Sequence, residues 1–372
     1  MQRSRFWQEC RARNLVTCLV LLAAICGAGP APAANTWEAV DKRVKQQVCK
    51  LNVGLKLQLY DGRWLYLSDL SPKLHLPVFS ASSADKGFRV VSTGSAFPVQ
   101  GAKDETWLLT SKHVIESADD LTKECERFFA AMRYQAEQNA RGGDVDRAFG
   151  KLLDVVNLSI KPGLTQEERA EYATTVDAIW DTYEAQLSLQ ADPERQKFLK
   201  YARMAVVKHL VRTFVHRPGA ATQQALEAKL IKAGQAQTDL ALLSLKGVHV
   251  SPMELDAKPA AEGEEIQIVG YPVAAEQIET AKIYTPTFTT GRVSRVTPSM
   301  VQVDATVQKG DSGGPLINSL GKVLGVVAVK APPEASGAAV KLGGAVPVAT
   351  IRTFAPELFE PAVEHRAPAR HR

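Results

Sequence analysis

Three residues, His113, Asp239 and Ser312, have the side chains and the chain order that nucleophilic acyl transfer requires. Ser312 lies within the hexapeptide GDSGGP, which runs from Gly310 to Pro315. Glycines on both sides of a serine permit a tight turn, which exposes the hydroxyl and lets backbone N–H groups converge where an oxyanion develops. Taken alone, the segment would be interpreted as an ordinary loop rich in glycine and serine.

The two upstream residues lie in settings that change this interpretation. His113 closely follows the apolar stretch that ends at Thr110, so it is expected at the end of a strand. Asp239 opens the segment DLALL, where a carboxylate enters an apolar strand and could orient and stabilise an imidazolium. The order of histidine, aspartate and serine therefore predicts a triad.

Two segments of strand-like texture must position these residues. From about Val48 to Ile115 apolar and polar residues alternate between turn clusters, and the same texture returns at Asp239 and continues to Val348. The β portions are 45–118 and 236–356, which predicts a mainly β protein. Residues 34–118 would then form the first part of one β domain, and 236–356 the rest of it together with a second β domain.

Between them, residues 119–235 show helical periodicity and predict an all-α insertion. Its first apolar stripe is Leu121, Cys125, Phe128 and Met132. Thr165 to Glu168 have the form of a capping box, and Asp192-Pro193 would begin a helix ending at Arg217-Pro218-Gly219, with a last helix from Ala221 to Gly234. His209 and His216 are interpreted as packing or surface residues, because no carboxylate or cysteine pattern accompanies them.

Residues 1–33 have the layout of a signal peptide, with four arginines, an apolar run from Leu15 to Gly27 and the small-residue site Ala31-Pro32-Ala33. Cleavage would give a periplasmic or secreted protein without a stable membrane anchor. An uncleaved anchor, or a lipoprotein modified at Cys26, is the alternative. Removing the leader lowers the net charge from +5 to about +2, which is no electrostatic footprint for nucleic acid.

Only Cys49 and Cys125 remain after the leader, in an oxidising compartment. A disulfide between them could form. Because no Cys/His spacing pattern accompanies them, we expect no metal site and no cofactor.

These motifs together resemble a chymotrypsin-fold, trypsin-like serine protease of the bacterial HtrA/DegP type. The matching segments are 94–97, 109–114, 239–243, 269–272, 290–294, 303–305 and 309–316, spread over nearly the whole β part. The resemblance implies two six-stranded antiparallel β-barrels, with the active site in the cleft between them. It also implies a serine endopeptidase that forms an acyl-enzyme intermediate on protein or peptide substrates, with a role in protein quality control.

The resemblance assigns a role to each site residue. Ser312 would be the nucleophile, His113 the general base and then acid, and Asp239 the residue that fixes the imidazole tautomer. The backbone N–H groups of Gly310 and Ser312 would form the oxyanion hole. Thr306 would lie at the base of the primary specificity pocket, with Val327, Ala328 and Val329 along its wall. Since no carboxylate is placed there, we expect small or medium aliphatic substrate side chains rather than Arg or Lys.

Two features depart from the family pattern. Asp311 stands where HtrA-type enzymes commonly have Asn, and the expected mature start Ala34-Asn35-Thr36 differs from the Ile-Val-Gly-Gly that activated zymogens use to pair with such an Asp. Residues 357–372 form a tail rich in Pro and Arg that is expected to be flexible and is too short for a PDZ domain.

Other interpretations remain open. Gly310-x-Ser312-x-Gly314 also fits the nucleophile elbow of α/β-hydrolases, but those enzymes need the histidine after the serine, and only His365 and His371 of the tail follow it. A catalytically silent, protease-like scaffold that binds peptides or partner proteins is the alternative function. The helical insertion could add only stability, or it could gate substrate, form homo-oligomers or dock a partner.

Overall fold

The computed structural model describes residues 37–59, 64–70, 77–81, 88–101, 105–157, 165–188, 206–221, 224–235, 237–278, 283–330 and 343–359. The predicted leader at 1–33 and the predicted helix start at Asp192-Pro193 lie outside these ranges, as do residues 360–372 of the tail.

The first β-barrel is a closed ring of six antiparallel strands in the order β1-β4-β5-β8-β7-β6, with β6 returning to β1. A hairpin of β2 and β3 extends from β1. The bounds are β1 (Cys49–Leu59), β2 (Trp64–Leu70), β3 (Pro77–Ala81), β4 (Arg89–Val99), β5 (Glu105–Thr110), β6 (Val206–His216), β7 (Leu226–Ala233) and β8 (Ala241–Lys246).

The second β-barrel is a closed ring in the order β10-β11-β14-β13-β12-β9. Its strands are β9 (Glu265–Gly270), β10 (Thr287–Val296), β11 (Val301–Val303), β12 (Pro315–Asn318), β13 (Val323–Lys330) and β14 (Gly343–Pro347). The predicted pair of six-stranded antiparallel barrels is therefore confirmed.

An apolar cluster joins the two barrels. It contains Leu109 and Leu240 beside the first barrel's strands and Val269 and Val326 from the second, all fully buried. Burying one such side chain stabilises the fold by about 1.5–3 kcal/mol, so the shared cluster holds the barrels in one relative position. The loops of the two barrels consequently keep a fixed position relative to each other.

Helices connect and cover the barrels. They are α1 (Trp37–Val44), α2 (Lys112–Ala140), α3 (Val145–Asn157), α4 (Gln166–Ser188), α5 (Val273–Ile278) and α6 (Val348–Phe354), with a 3-10 turn at Pro356–Phe359. Helix α1, not anticipated from the sequence, contributes Val40 and Val44 to the cluster between the barrels. None of the helices in the described ranges has the length and apolar character needed to cross a membrane.

Helices α2, α3 and α4 form a helical module that packs on β1. The predicted stripe is confirmed, because Cys125, Phe128 and Met132 are buried in one cluster with Leu55 of β1, and Leu121 packs against it. The predicted capping box also forms: the Thr165 N–H donates to Glu168 Oε2 at 2.9 Å, and the Glu168 N–H donates to Thr165 Oγ1 at 3.1 Å.

The predicted helices over 206–216 and 221–234 are wrong in their described part. These segments form β6 and β7 of the first barrel. The spacing of Val206, Leu210 and Phe214 suits one helical face, but buried Thr213 also lies between exposed Arg212 and half-buried Phe214, as in a strand. Pairing of β6 along β1 satisfies its backbone groups and closes the barrel, which decides in favour of the strand.

The disulfide considered between Cys49 and Cys125 is not formed, and both thiols are free and buried. Cys125 lies in the cluster that contains Leu55, six residues along β1 from Cys49. Cys49 instead belongs to a different buried cluster, with Leu51 and Ala118. Burial raises the pKa of the Cys49 thiol to about 12 against a weaker lowering by Arg217, and burial raises that of Cys125 well above its usual value, so both are held as unreactive thiols.

Candidate active site

His113 and Asp239 are brought together by neighbouring strands. His113 lies in the first turn of α2, just after β5, and Asp239 lies two residues before β8, the strand paired with β5. His113 Nδ1 is 2.6 Å from Asp239 Oδ2, and the His113 backbone N–H donates to Asp239 Oδ1 at 2.8 Å. The carboxylate thus contacts both the ring and the main chain of the histidine.

These contacts set the protonation of the pair. Partial burial raises the pKa of Asp239, but the hydrogen bonds from the side chain and backbone of His113 outweigh it and hold that pKa below its usual value. An ionised carboxylate only accepts hydrogen bonds, so Nδ1 of His113 carries the proton. In this tautomer the Nε2 lone pair is the one that can accept a proton, as a general base requires.

The main chain around Ser312 is held between the two barrels. The Ser95 N–H on β4 donates to the Ser312 carbonyl at 2.8 Å, and the Gly313 N–H donates to the Val327 carbonyl on β13 at 2.7 Å. Gly94 allows the Ser312 main chain to approach β4 closely, because a Cβ at Gly94 would lie 2.9 Å from the Ser312 carbonyl oxygen.

The backbone before Ser312 has the geometry of an anion-binding turn. The Lys309 carbonyl accepts a hydrogen bond from the Val273 N–H at 2.8 Å, so the Gly310 N–H of the same planar peptide points the opposite way. Gly310 has a φ of 104°, and a Cβ there would lie 2.1 Å from the Tyr271 carbonyl oxygen. Among the described residues, neither the Gly310 nor the Ser312 N–H has a hydrogen-bond acceptor, so both are free to donate.

Two residues that sequence reasoning left without a role fix this turn. The buried Ser95 hydroxyl donates to the Gly310 carbonyl at 2.7 Å and accepts from the Tyr271 N–H at 3.0 Å. The buried Asp311 carboxylate accepts from the Gln308 N–H at 2.8 Å and so closes the turn that leads into Ser312. In the sequence, the role of the Ser95 hydroxyl was indicated only by the short segment Gly94-Ser95.

His113 and Ser312 line the same cavity, which has a volume of about 290 Å³. Ser92, Ser117, Lys309 and Ala328 also line it. No hydrogen bond joins the Ser312 hydroxyl to His113 in the described structure, as is common before substrate binds. The His113 side chain is 46% exposed, which leaves its ring accessible from the cavity.

The four expected pocket residues differ in their placement. Ala328 lines the cavity beside Ser312, and Thr306 is half-buried. The Val327 side chain is fully buried in the core of the second barrel, so only its backbone faces the Ser312 turn. The Val329 side chain lies outside the described atoms. Within the described residues, no group of three His, Cys, Asp or Glu side chains is placed to hold a metal ion.

A pair of closed six-stranded barrels, with His113 and Asp239 beside the first and the Ser312 turn in the second, has the architecture of the chymotrypsin-like fold. Comparison with known proteins agrees: residues 201–326 match the family described as the trypsin-like peptidase domain. In sequence the chain is thus similar to the trypsin-like peptidase domain over residues 201–326 and to HtrA-type serine proteases.

Two curated relatives illustrate that similarity. The serine protease Do-like HtrA of Lactobacillus helveticus is 30% identical over 146 residues, which are 38% of this chain and 35% of the relative. The periplasmic pH-dependent serine endoprotease DegQ of Escherichia coli is 30% identical over 141 residues, 36% of this chain and 29% of the relative. The chain thus spans about a third of the length of these relatives. A solved serine endoprotease from Yersinia pestis aligns with a TM-score of 0.43 at 15% identity, covering 88% of this chain and 68% of that one.

Proposed function

We propose that this protein is a serine endopeptidase that cleaves peptide bonds through an acyl-enzyme intermediate. The observation that carries the proposal is the 2.6 Å contact between His113 Nδ1 and Asp239 Oδ2, in a cavity that Ser312 also lines. In this mechanism His113 Nε2 takes the proton of the Ser312 hydroxyl as its oxygen attacks the substrate carbonyl. The imidazolium then gives that proton to the leaving amine, and a water molecule releases the acyl group by the same route.

The oxyanion of the tetrahedral intermediate would be held by the N–H groups of Gly310 and Ser312. Support comes from the orientation of the Lys309 carbonyl, which is fixed on the Val273 N–H, and from the two unused donors of the turn. Donors that are aimed before the reaction stabilise the developing charge without reorganisation, and each contributes about 10²- to 10³-fold in rate.

For the substrate we propose proteins or peptides with a small or medium aliphatic side chain before the cleaved bond. Thr306 and Ala328 carry no charge, and Ala328 borders the cavity next to Ser312. Strong cleavage after Arg or Lys in a peptide library would contradict this preference.

For the setting we propose the periplasm or the outside of the cell, with a role in protein quality control. The arginine-rich start, the apolar run and the Ala31-Pro32-Ala33 site support export. Sequencing the amino terminus of the mature protein from cell fractions tests this proposal, and we expect it to begin at Ala34 in an exported fraction. A cytoplasmic protein that retains residues 1–33 would refute it.

A fluorophosphonate probe tests the chemistry directly. We expect wild-type protein to be labelled on Ser312, as mapped by mass spectrometry, and to degrade casein. Ser312→Ala should abolish both signals, whereas the matched control Ser244→Ala, a buried serine on β8, should retain them. Absence of labelling in folded wild-type protein, with and without unfolded casein, would favour the silent peptide-binding scaffold instead.

A further inference from the structure

A second cavity, of about 430 Å³, opens on the first barrel and shares no lining residue with the cavity at Ser312. It lies between the turn that joins β6 to β7, the segment before β1 and the segment after β8. Its lining includes Gln46, Arg217, Gly219, Gln224, His249 and Ser251. This volume is within the range of small-ligand sites in proteins.

The lining favours an anion. Arg217 carries a fixed positive charge, and the amides of Gln46 and Gln224 and the imidazole of His249 can donate hydrogen bonds. Among the described residues that line the cavity, none is a carboxylate. A guanidinium presents a planar set of donors that matches a carboxylate or a phosphate group.

Buried groups behind the cavity add to this character. His216 is 4% exposed, and its Nδ1 atom has no hydrogen-bond partner in the described structure, while Nε2 is 3.1 Å from Asn52 Nδ2. The buried Lys50 places its Nζ 4.4 Å from the centre of the Tyr284 ring. Since Lys50 pairs with His216, the residue before Arg217, a positive charge and an unused polar atom lie next to the start of the turn that carries Arg217.

The wall of the cavity is hydrogen-bonded to Tyr284. The Gly219 N–H donates to the Tyr284 carbonyl at 3.0 Å, and the Tyr284 N–H donates to the Ala220 carbonyl at 3.4 Å. The Tyr284 ring meets the His216 ring edge to face at 4.8 Å and the Tyr271 ring at 6.4 Å. A shift of the Gly219-Ala220 turn must consequently move Tyr284 against both rings.

Tyr271 continues the connection to the turn beside Ser312. Its hydroxyl donates to the Val48 carbonyl at 3.0 Å, and its N–H donates to Ser95 Oγ, which donates to the Gly310 carbonyl. Two residues further on, the Val273 N–H holds the Lys309 carbonyl. The two carbonyls on either side of the Gly310 N–H, those of Lys309 and Gly310, are therefore both linked to the segment around Tyr271, the second of them through Ser95.

We propose that the Arg217 cavity is an effector site that binds a carboxylate or phosphate group, and that Tyr284 and Tyr271 transmit its occupancy to Gly310. Binding is independent of the proposed peptidase activity, whereas the effect on Gly310 rests on it. The bound anion would come from an acidic peptide or from a phosphorylated compound, and the experiment separates the two.

Calorimetry on the full-length Ser312→Ala protein tests binding without cleavage, with inorganic phosphate and tetraglutamate as separate probes. We expect one of them to bind with a Kd below about 10 mM. Arg217→Gln should weaken it about tenfold or more. His249→Gln, a second exposed substitution, should also weaken binding, whereas the matched control Arg212→Gln on β6 should not. Tighter binding of tetraglutamate indicates a peptide effector, and tighter binding of phosphate indicates a phosphorylated one. No binding of either probe, or equal losses in Arg217→Gln and Arg212→Gln, would overturn the site.

The rate of fluorophosphonate labelling of wild-type protein tests the coupling. The probe that binds should change this rate about fivefold or more, and Arg217→Gln should remove the change. Tyr284→Leu should retain binding but lose the rate change. Binding with an unchanged rate in wild-type protein would refute the coupling. No labelling under any condition would refute the peptidase function and the coupling with it, while the calorimetric result for the site would stand.

Discussion

Ser95→Ala tests whether the hydroxyl of Ser95 positions the anion-binding turn. In the folded protein this buried hydroxyl is the donor to the Gly310 carbonyl and the acceptor for the Tyr271 N–H. Alanine leaves both backbone groups buried without that partner. Each unsatisfied group costs about 1–3 kcal/mol, so the free energy of unfolding should fall by about 2–6 kcal/mol before relaxation.

The effect on rate follows from the same contacts. Loss of one oxyanion donor costs about 10²- to 10³-fold. In Ser95→Ala the Gly310 carbonyl is released while the Lys309 carbonyl stays on the Val273 N–H, so part of that effect is expected, about 10- to 100-fold in kcat. KM should change by less than about threefold, because the turn stabilises the transition state more than the bound substrate. Steady-state cleavage of a peptide substrate and urea unfolding measure the two quantities.

A matched serine provides the control. Ser244 is also buried, and its hydroxyl donates to Glu105 Oε2 at 2.9 Å, away from the Ser312 turn. Ser244→Ala should lower stability but leave kcat within about twofold of wild type. If folded Ser95→Ala also keeps kcat within about twofold, the hydroxyl does not position Gly310 and the reasoning fails.

Three further predictions concern other contacts. Asp239→Asn should lower kcat about 10⁴-fold in steady-state assays, because an amide donates to the imidazole and selects the wrong tautomer; a loss below about tenfold would contradict the assigned role. Burial, and to a smaller extent Lys50, lowers the pKa of His216 from 6.5 to about 4. The neutral form of His216 therefore stabilises the fold above pH 6.5, and this stabilisation is lost as the pH falls toward 4. When the free energy of unfolding is measured in urea between pH 4 and 6.5, His216→Gln should reduce its change with pH by about 3 kcal/mol. An unchanged pH dependence in His216→Gln would refute this role of His216. Gly94→Ala should lower the free energy of unfolding by about 1–3 kcal/mol and remove most fluorophosphonate labelling, since its Cβ would press on the Ser312 carbonyl. Gly150→Ala, in the interior of α3 where no atom lies near the new Cβ, should raise the free energy of unfolding by about 0.5–1 kcal/mol.

The features that depend on residues close together in the chain were predicted correctly from the sequence. The reciprocal hydrogen bonds of Thr165 and Glu168 follow from residues three apart, and the burial of Cys125 and Phe128 follows from helical periodicity. The two barrels were predicted from the resemblance of many short segments and are confirmed. The triad was predicted from the order and local settings of its residues, and of its contacts the structure shows the one between His113 and Asp239, at 2.6 Å.

What the sequence did not predict depends on distant partners. The segment Val206–His216 fits a helix by its spacing and a strand by its many β-branched residues, and only its pairing with β1 decides between them. Ser95 acts on Gly310, 215 residues away along the chain, so no local pattern could assign its hydroxyl. Asp311 has no recognised motif role, and its contact with the Gln308 N–H appears only when the turn is folded.

The seam between β1 and β6 also has a consequence for how the chain folds. The two strands pair from Lys50 and His216 to Leu59 and Val206, although residues 60–205 separate their ends. β1, β4 and β5 are close in sequence and can pair early, whereas closing the seam requires a long loop and must be slow. Until then one edge of β1, with the apolar residues Leu51, Val53 and Leu55, is open to pairing with another strand. The refolding yield should therefore fall with rising protein concentration, because a second nascent chain competes with β6 for that edge.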